Sequence, residues 1–243
     1  MRTLVISDVH ANLTALNAVL ADAGSVERVW CLGDIVGYGP DPNECLERIM
    51  DLPGLQCVKG NHDAAILGEI SVRAFNSDAR TSLNWLETQL CQENKHWLAG
   101  LAERLVVDQV TLAHGSPRNP VWEYIMDQGT ARENMGAFDT NICLVGHTHL
   151  PGLYQMAGEN PFSTRYHLLA EDAPISLPHK CIVNPGSVGQ PRDRDPRSAY
   201  LIYDDETDRW SAHRVAYDVK GVQARIKSAG LPKMHANRLA EGW

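Results

Sequence analysis

The sequence lacks the usual features of membrane and secreted proteins. No segment approaches the roughly 18 consecutive apolar residues that span a bilayer, and the apolar run at residues 4–6 is far shorter than a signal-peptide core. The six cysteines contain no Cys-x-x-Cys pair, which disfavours a thiolate metal site, and without a secretion signal a disulfide framework is also disfavoured. We therefore predict a cytoplasmic protein with reduced cysteines in its core.

Positive charge is also scarce. Thirty acidic residues against 22 basic ones give a formal net charge of -8, which repels a long polyanion unless basic residues gather on one face. Nucleic acid is therefore a disfavoured ligand.

We find no internal repeat, low-complexity tract or linker, and 44% hydrophobic with 21% charged residues is ordinary globular usage. A single domain over residues 1–243 is predicted.

Short β-rich segments alternate with polar, glycine-containing turns. Six strands are predicted at 3–7, 28–32, 56–59, 110–113, 142–145 and 181–184, with helices at 12–23 and 43–50 between the early ones. Strand, helix and strand in this order predict a parallel sheet. Two more helices are predicted within 76–101, with Trp85 and Trp97 in the core. Strands at 153–156, 166–169, 199–203 and 210–214 predict a second sheet, and a helix at 219–229 would close the chain.

Histidine, aspartate and asparagine residues gather just after five of the predicted strands. The clusters are Asp8-Val9-His10, Gly33-Asp34, Gly60-Asn61-His62-Asp63, Ala113-His114-Gly115 and Gly146-His147-Thr148-His149. Because ligands bind beyond the carboxyl ends of strands in open α/β sheets, these clusters can share one site. Carboxylate, imidazole and amide ligands together suit divalent Mn, Fe, Co, Ni or Zn. Seven ligands exceed the need of one ion, so two ions about 3.5–4 Å apart with one shared carboxylate are predicted.

Each cluster alone has an ordinary structural explanation. Asp8 and His10 could be a helix cap and a solvated histidine, Gly33-Asp34 a simple turn, and His114 a buried core histidine. Five such clusters in order at strand ends make coincidence the weaker explanation. The metal-binding interpretation is therefore favoured.

The order of the clusters resembles the calcineurin-like metallophosphoesterase superfamily, whose pattern is Asp-x-His, Gly-Asp, Gly-Asn-His-Asp/Glu, His and Gly-His-x-His. The match spans residues 8–149, and residues 184–192 resemble a further segment of its small bacterial, diadenosine-tetraphosphatase-like branch. The resemblance implies a four-layer αββα sandwich in which two mixed sheets pack face to face between helices. It also implies that one metal is held by Asp8, His10, Asp34 and His149, and the other by Asp34, Asn61, His114 and His147, with Asp34 as the bridge.

The resemblance leaves His62 outside the metal coordination, as a general acid that protonates the leaving oxygen, with Asp63 as a partner for its ring. The alternative is that His62 binds metal or merely packs. Two divalent ions, two aspartates and a bridging hydroxide leave a cationic pocket, which suits a phosphate group. In-line attack on phosphorus by the metal-activated hydroxide is the expected mechanism.

The residues that would bind the substrate are less clearly indicated. Protein serine/threonine phosphatases of the superfamily carry Gly-Asp-x-x-Asp-Arg-Gly and an arginine before Gly-Asn-His, whereas this chain has GDIVGYG at residues 33–39 and Lys59. Two phosphate-binding arginines are therefore absent. The candidates to replace them are Arg192, Arg118 and Tyr38, with Arg194 and Arg197 as further arginines, although surface arginines are commonly only solvated.

Together these patterns predict a hydrolase of small phosphomonoesters, phosphodiesters or nucleotides that uses two divalent transition-metal ions, manganese first among them. Two alternatives share the fold. A nuclease is disfavoured by the acidic charge of the chain. A non-catalytic scaffold that binds a protein partner is disfavoured because the ligand set and His62 are complete.

Overall fold

The computed structural model describes residues 1–156, 164–177 and 180–243. The strands within these ranges are β1 (Arg2–Ile6), β2 (Arg28–Cys31), β3 (Gln56–Cys57), β4 (Arg104–Val107), β5 (Val110–Ala113), β6 (Ile142–Leu144), β7 (Gly152–Met156), β8 (Thr164–His167), β9 (Pro174–Ile175), β10 (Cys181–Asn184), β11 (Ser198–Asp204) and β12 (Arg209–Val215). The helices are α1 (Leu13–Ala23), α2 (Pro42–Met50), α3 (Asn61–Ile66), α4 (Ser77–Gln89), α5 (Gln92–Ala99), α6 (Gln128–Met135), α7 (Val219–Ser228) and α8 (Lys233–Glu241), with a 3-10 turn at Val72–Ala74.

The strands form two six-stranded sheets. The first has the order β3-β2-β1-β11-β12-β9, in which β1 is parallel to β2 and antiparallel to β11. The second has the order β4-β5-β6-β10-β7-β8, in which β5, β6 and β10 are parallel and β7 is antiparallel to β10. Both sheets are mixed and flanked by helices, so the predicted four-layer αββα fold is confirmed.

Alternate residues of each central strand face different layers. On β1, Leu4 and Ile6 pack against the layer of α1, α2, α4 and α5, whereas Val5 faces the second sheet. On β6, Leu144 faces the first sheet and Cys143 packs under α6. These strands are therefore buried on both faces, and this rigid double sheet fixes the loops at its carboxyl edge.

Several sequence predictions need correction. Five of the six cysteines are buried, but Cys91 is exposed because it precedes α5 outside any strand. Trp85 and Trp97 are only partly buried and pack against the core from its rim. Strand β8 begins and ends two residues before the predicted 166–169, and Leu168 is 79% exposed. Strands β4 and β9 and helices α3 and α6 were not predicted.

The predicted last helix is followed by another. Gly230, at a φ of 71°, turns the chain after α7, and Pro232 precedes the first residue of α8. The pair packs through an apolar cluster that includes Val222, Ile226 and Leu239. The chain therefore continues past 219–229 into a helical hairpin. The single-domain organisation over 1–243 stays a prediction.

Within the described ranges, the structure contains no helix of sufficient length and apolar character to span a membrane.

Candidate metal centre

The polar clusters converge at the carboxyl edge of the two sheets. They follow β1, β2, β3, β5 and β6, as the sequence predicts. Every predicted ligand is nearly inaccessible, with at most 3% of its surface exposed. Among the described residues, three sets bring His and carboxylate ligand atoms within 4.8 Å of one another: Asp8, His10 and His149; His10, Asp34 and His62; and Asp34, His114 and His147.

The first group is built on Asp8 Oδ1. His149 Nε2 lies 3.2 Å from this oxygen and 3.1 Å from His10 Nε2. His10 Nε2 in turn lies 3.7 Å from Asp34 Oδ2. Asp8 Oδ1 is itself buried without a hydrogen-bond partner. A buried carboxylate oxygen is normally satisfied, so this oxygen has the surroundings of a metal ligand.

The second group is built on His114. Its Nε2 lies 3.3 Å from Asp34 Oδ2, 3.0 Å from Asn61 Oδ1 and 3.1 Å from His147 Nδ1. Asp34 Oδ2 therefore faces both groups, as a bridging carboxylate must. Its other oxygen, Oδ1, accepts a hydrogen bond from the His62 backbone N–H at 2.9 Å.

The four histidines each direct one ring nitrogen into the site. In each ring the other nitrogen contacts a backbone carbonyl, which can only accept a hydrogen bond and so fixes the proton there. These contacts are His10 Nδ1 to Val36 at 3.2 Å, His114 Nδ1 to Leu32 at 2.8 Å, His149 Nδ1 to Gln190 at 2.5 Å and His147 Nε2 to Trp122 at 3.1 Å. The remaining nitrogens face each other at 3.1 Å in both pairs, His10 with His149 and His114 with His147. When both imidazoles of a pair are neutral, as metal ligands must be, these nitrogens present lone pairs to each other. Such contacts repel unless a cation lies between them, so the donor set fits divalent ions.

The backbone at the ligands adopts a left-handed conformation that side-chain-bearing residues rarely take. The φ angles are 54° at Asp8, 48° at His10, 51° at Asp34, 65° at His147 and 59° at His149. Backbone hydrogen bonds support these turns, including Asp8 N to Gly33 O at 3.1 Å and His10 N to Asp34 O at 2.9 Å. Conformations that cost energy persist where surrounding structure enforces them and typically mark functional sites.

Two glycines allow the close approach of these loops. A Cβ atom at Gly60 would collide with the Asp34 carboxylate and backbone, and one at Gly146 would collide with the Ser7 hydroxyl. Only hydrogen fits at either position. This explains the glycines that precede Asn61 and His147 in the sequence.

Opposing electrostatic effects set the ionisation of the ligands in the protein without bound ions. Burial alone would raise the pKa of Asp8, but the His149 imidazole outweighs it and holds that pKa below its usual range. Burial alone would lower the pKa of His114, but the neighbouring Asp34 carboxylate raises it to about 9. A metal ion would take the place of the proton on His114, because a ligating imidazole must be neutral.

Comparison with known proteins identifies the family. The sequence model of the calcineurin-like phosphoesterase superfamily domain matches residues 1–208. This chain belongs to that superfamily. It is therefore a metal-dependent hydrolase that acts on ester bonds, and the resemblance seen in the sequence is confirmed.

Two similar proteins match this phosphoesterase over nearly its full length, and a third matches about half of it. A metallophosphoesterase structure from Sphaerobacter thermophilus has a TM-score of 0.91 and 45% identity, and the alignment covers 100% of this chain and 99% of that one. Protein MJ0912 of Methanocaldococcus jannaschii is 38% identical over 98% of this chain and 97% of its own. The symmetrical bis(5'-nucleosyl)-tetraphosphatase of Serratia proteamaculans is 30% identical over 139 residues, which are 55% of this chain and 49% of that protein.

His62 lies beside the metal centre of this phosphoesterase, in the first turn of α3. Its Nε2 is 3.1 Å from the Tyr38 hydroxyl, and its Nδ1 is buried without a hydrogen-bond partner. The His62 ring lies 5.0 Å from the His10 ring and 4.5 Å from the Tyr38 ring. The structure therefore brings His62 and Tyr38 to the site, as predicted.

The predicted pairing of Asp63 with the His62 ring is wrong. Asp63 Oδ1 accepts a hydrogen bond from Val36 N at 3.2 Å, and its Oδ2 accepts one from Gly60 N at 2.9 Å. Both oxygens are therefore used to join two loops. The ring of His62 pairs instead with the Tyr38 hydroxyl.

The two predicted substrate arginines differ in their availability. The Arg118 guanidinium contacts Glu123 at 2.5 Å and Glu133 at 2.8 Å, so its charge is already neutralised and the structure does not support its predicted role. Arg192 Nη2 contacts Gln190 Oε1 at 3.2 Å and the Tyr38 hydroxyl at 3.5 Å, and its Nε is buried without a partner. Arg192 therefore keeps its charge available beside the site.

The sequence reasoning missed the aromatic loop beside His147. The Tyr124 ring stacks on the His147 imidazole with centroids 3.7 Å apart, and the Trp122 carbonyl orients the same imidazole. These residues belong to a loop with no periodic pattern, and the carboxylate between them, Glu123, pairs with Arg118. Only the tertiary fold brings them to the centre.

Proposed function

We propose that this phosphoesterase hydrolyses small phosphate esters, nucleotides among them, with two divalent transition-metal ions. Manganese is the first candidate because mixed oxygen and imidazole ligands suit it. One ion would be held by Asp8, His10, Asp34 and His149, and the other by Asp34, Asn61, His114 and His147. The observation that carries this proposal is the position of Asp34 Oδ2, 3.7 Å from His10 Nε2 and 3.3 Å from His114 Nε2.

The chain's own residues would bind and protonate the substrate. A pair of such ions, when bound, supplies Lewis acidity and a water nucleophile of lowered pKa. Arg192 would hold a phosphate oxygen through a charge-assisted hydrogen bond. His62 would hold the proton that the leaving oxygen takes, and the Tyr38 hydroxyl would fix the orientation of the His62 ring.

The protonation of His62 depends on the substrate. Burial lowers the pKa of His62 to about 4, although the nearby Asp34 carboxylate opposes this effect. The imidazolium therefore needs a further negative charge to exist near neutral pH. A bound phosphate group supplies that charge, so His62 would gain its proton when the substrate binds.

A cavity beside the centre would accept the leaving group. It has a volume of about 460 Å³, and its lining includes Leu150, Tyr154 and Tyr166. Thr148, which separates the ligands His147 and His149, also lines it. An apolar, aromatic wall of this kind suits a planar leaving group such as a nucleoside. The similarity to a bis(5'-nucleosyl)-tetraphosphatase supports the same substrate class.

A substrate panel tests this proposal. We expect the manganese-loaded protein to hydrolyse p-nitrophenyl phosphate and nucleotides much faster than a phosphoserine peptide, because the two arginines of the protein phosphatases are absent. The same protein stripped with a chelator is the control and should be inactive. Activity that survives metal removal, or equal rates on the peptide and a nucleotide, would contradict the proposal.

Arg192 should contribute substrate affinity. Hydrogen bonds to charged groups are worth about 1.5–3 kcal/mol, so Arg192→Met should lower kcat/KM roughly 10- to 100-fold. Most of the loss should appear in KM. Arg80→Met is the matched control, since Arg80 is an exposed arginine on α4. Steady-state kinetics that show equal values for the two variants would remove Arg192 from the substrate site.

A further inference from the structure

The C-terminal helix α8 lies outside the residues that the family model matches, yet it packs beside the metal centre. The His235 ring on α8 lies 4.7 Å from the Tyr38 ring, which itself contacts His62. The carbonyl of Gly242, just after α8, accepts a hydrogen bond from Arg194 N at 2.6 Å. Helix α8 is therefore held against both the Tyr38 loop and the segment that carries Arg192.

Helix α8 carries Arg238, a second arginine near Tyr38 that has no carboxylate partner. Arg192 and Arg238 are both partly buried, and the Nε of each is buried without a hydrogen-bond partner. Neither guanidinium forms an ion pair with any residue that the structure describes. By contrast, the guanidiniums of four other arginines are paired: Arg118 with Glu123, Arg197 with Glu171, Arg214 with Asp193 and Arg225 with Asp41.

The two unpaired guanidiniums belong to segments that both meet Tyr38. Burial and the neighbouring positive charge of Arg192 lower the pKa of Arg238, with Asp78 opposing from beyond ion-pair distance. Arg238 lies one turn after His235 on α8, so the two side chains share the helix face that meets Tyr38. Arg192 reaches the same tyrosine, with its Nη2 3.5 Å from the hydroxyl. Two partly buried cations near one tyrosine are unfavourable unless an anion joins them. The Trp243 ring, 5.6 Å from the Arg238 guanidinium, packs against it but supplies no negative charge.

We propose that Arg192 and Arg238 together bind a second phosphate group of the substrate, next to the phosphate that is hydrolysed. This inference rests on the proposed function and narrows it to compounds that carry two neighbouring phosphates, as phosphoanhydrides and bisphosphates do. Guanidinium forks match phosphate oxygens in geometry and charge. Arg192 lies next to the candidate metal centre because its Nη2 contacts the Tyr38 hydroxyl, and Arg238 would hold the second phosphate from α8.

The test compares two non-reacting ligands by calorimetry on manganese-loaded protein. The ligands are inorganic phosphate and imidodiphosphate, whose P–N–P bridge resists hydrolysis. We expect the wild type to bind imidodiphosphate about 10-fold or more tightly than phosphate. Arg238→Gln should lose this preference and keep the affinity for phosphate, and Arg238→Lys should retain part of it. Lys233→Gln, which removes an exposed charge from the same helix, should match the wild type.

The outcomes separate this inference from the proposed function. If the wild type binds no phosphate, the proposed function fails and the second-phosphate site fails with it. If phosphate binds but Arg238→Gln keeps the full preference for imidodiphosphate, only the second-phosphate site is overturned. Equal weakening of both ligands with a lower Tm would show that Arg238 merely supports the fold through Trp243, which also overturns the site.

Discussion

Asp34→Asn should remove both metal ions and nearly all activity. The Asp34 Oδ2 atom faces the two histidine groups, so its charge contributes to both ions, and a neutral amide cannot replace that charge. Lewis-acid stabilisation by metal is worth several kcal/mol, so kcat should fall at least about 10³-fold. Elemental analysis and p-nitrophenyl phosphate hydrolysis measure the two effects.

The substitution is a sharp test because it preserves shape. An asparagine oxygen can still accept the hydrogen bond from His62 N, so the α3 turn should remain in place. Asp139→Asn removes an exposed carboxylate and serves as the control. If Asp34→Asn loses one ion and keeps the other at full occupancy, the bridge assignment is incorrect.

His62→Asn should keep both ions while slowing hydrolysis. General acid catalysis is worth about 10²–10⁴-fold, and it matters most when the departing oxygen is a poor leaving group. An alkyl phosphate should therefore lose far more rate than p-nitrophenyl phosphate, whose phenolate departs readily without a proton. Paired kinetics on the two esters, with metal content measured on the same samples, give the answer.

This test also decides between two arrangements of the site. His62 forms a close group with His10 and Asp34, so the structure also brings it near enough to act as a ligand. In that case His62→Asn would lose metal, and both esters would slow together. His96→Asn, at an exposed position of α5, controls for the loss of an imidazole.

The sequence predicted which polar residues meet at one site because the ends of strands can be recognised from local patterns. Strands β1, β2, β5 and β6 are short apolar runs, and the polar residue after each is forced to the same sheet edge. The stacking of two sheets then brings Asp34 and His114 together although they are 80 positions apart, and their atoms meet at 3.3 Å. Local pattern and global topology agree at this edge, which is why the clusters could be predicted as one site.

The contacts of the residues around the site could not be predicted from local sequence patterns. Asp63 adjoins His62 in the sequence, but neighbouring side chains of a helix point in different directions, so proximity along the chain misled the prediction. The charge of Arg118 is neutralised partly by Glu133 of α6, a helix that was not predicted from the sequence. Arg238 lies on the helix that meets Tyr38 only because α7 and α8 form a hairpin, and nothing local indicates where that hairpin packs.

Because β1 is central in the first sheet, the sheet edge that carries the candidate metal centre can be completed only late in synthesis. β1 lies between β2 and β11, and Leu4 pairs with Ile202. The loop after β1 is held by the segment just before β11, through Val188 N to Ser7 O at 3.0 Å and Gly189 N to Asp8 O at 2.9 Å. A nascent chain therefore exposes β1 as an unpaired edge until most of the protein has left the ribosome. Such long-range pairing slows folding and leaves that edge open to aggregation.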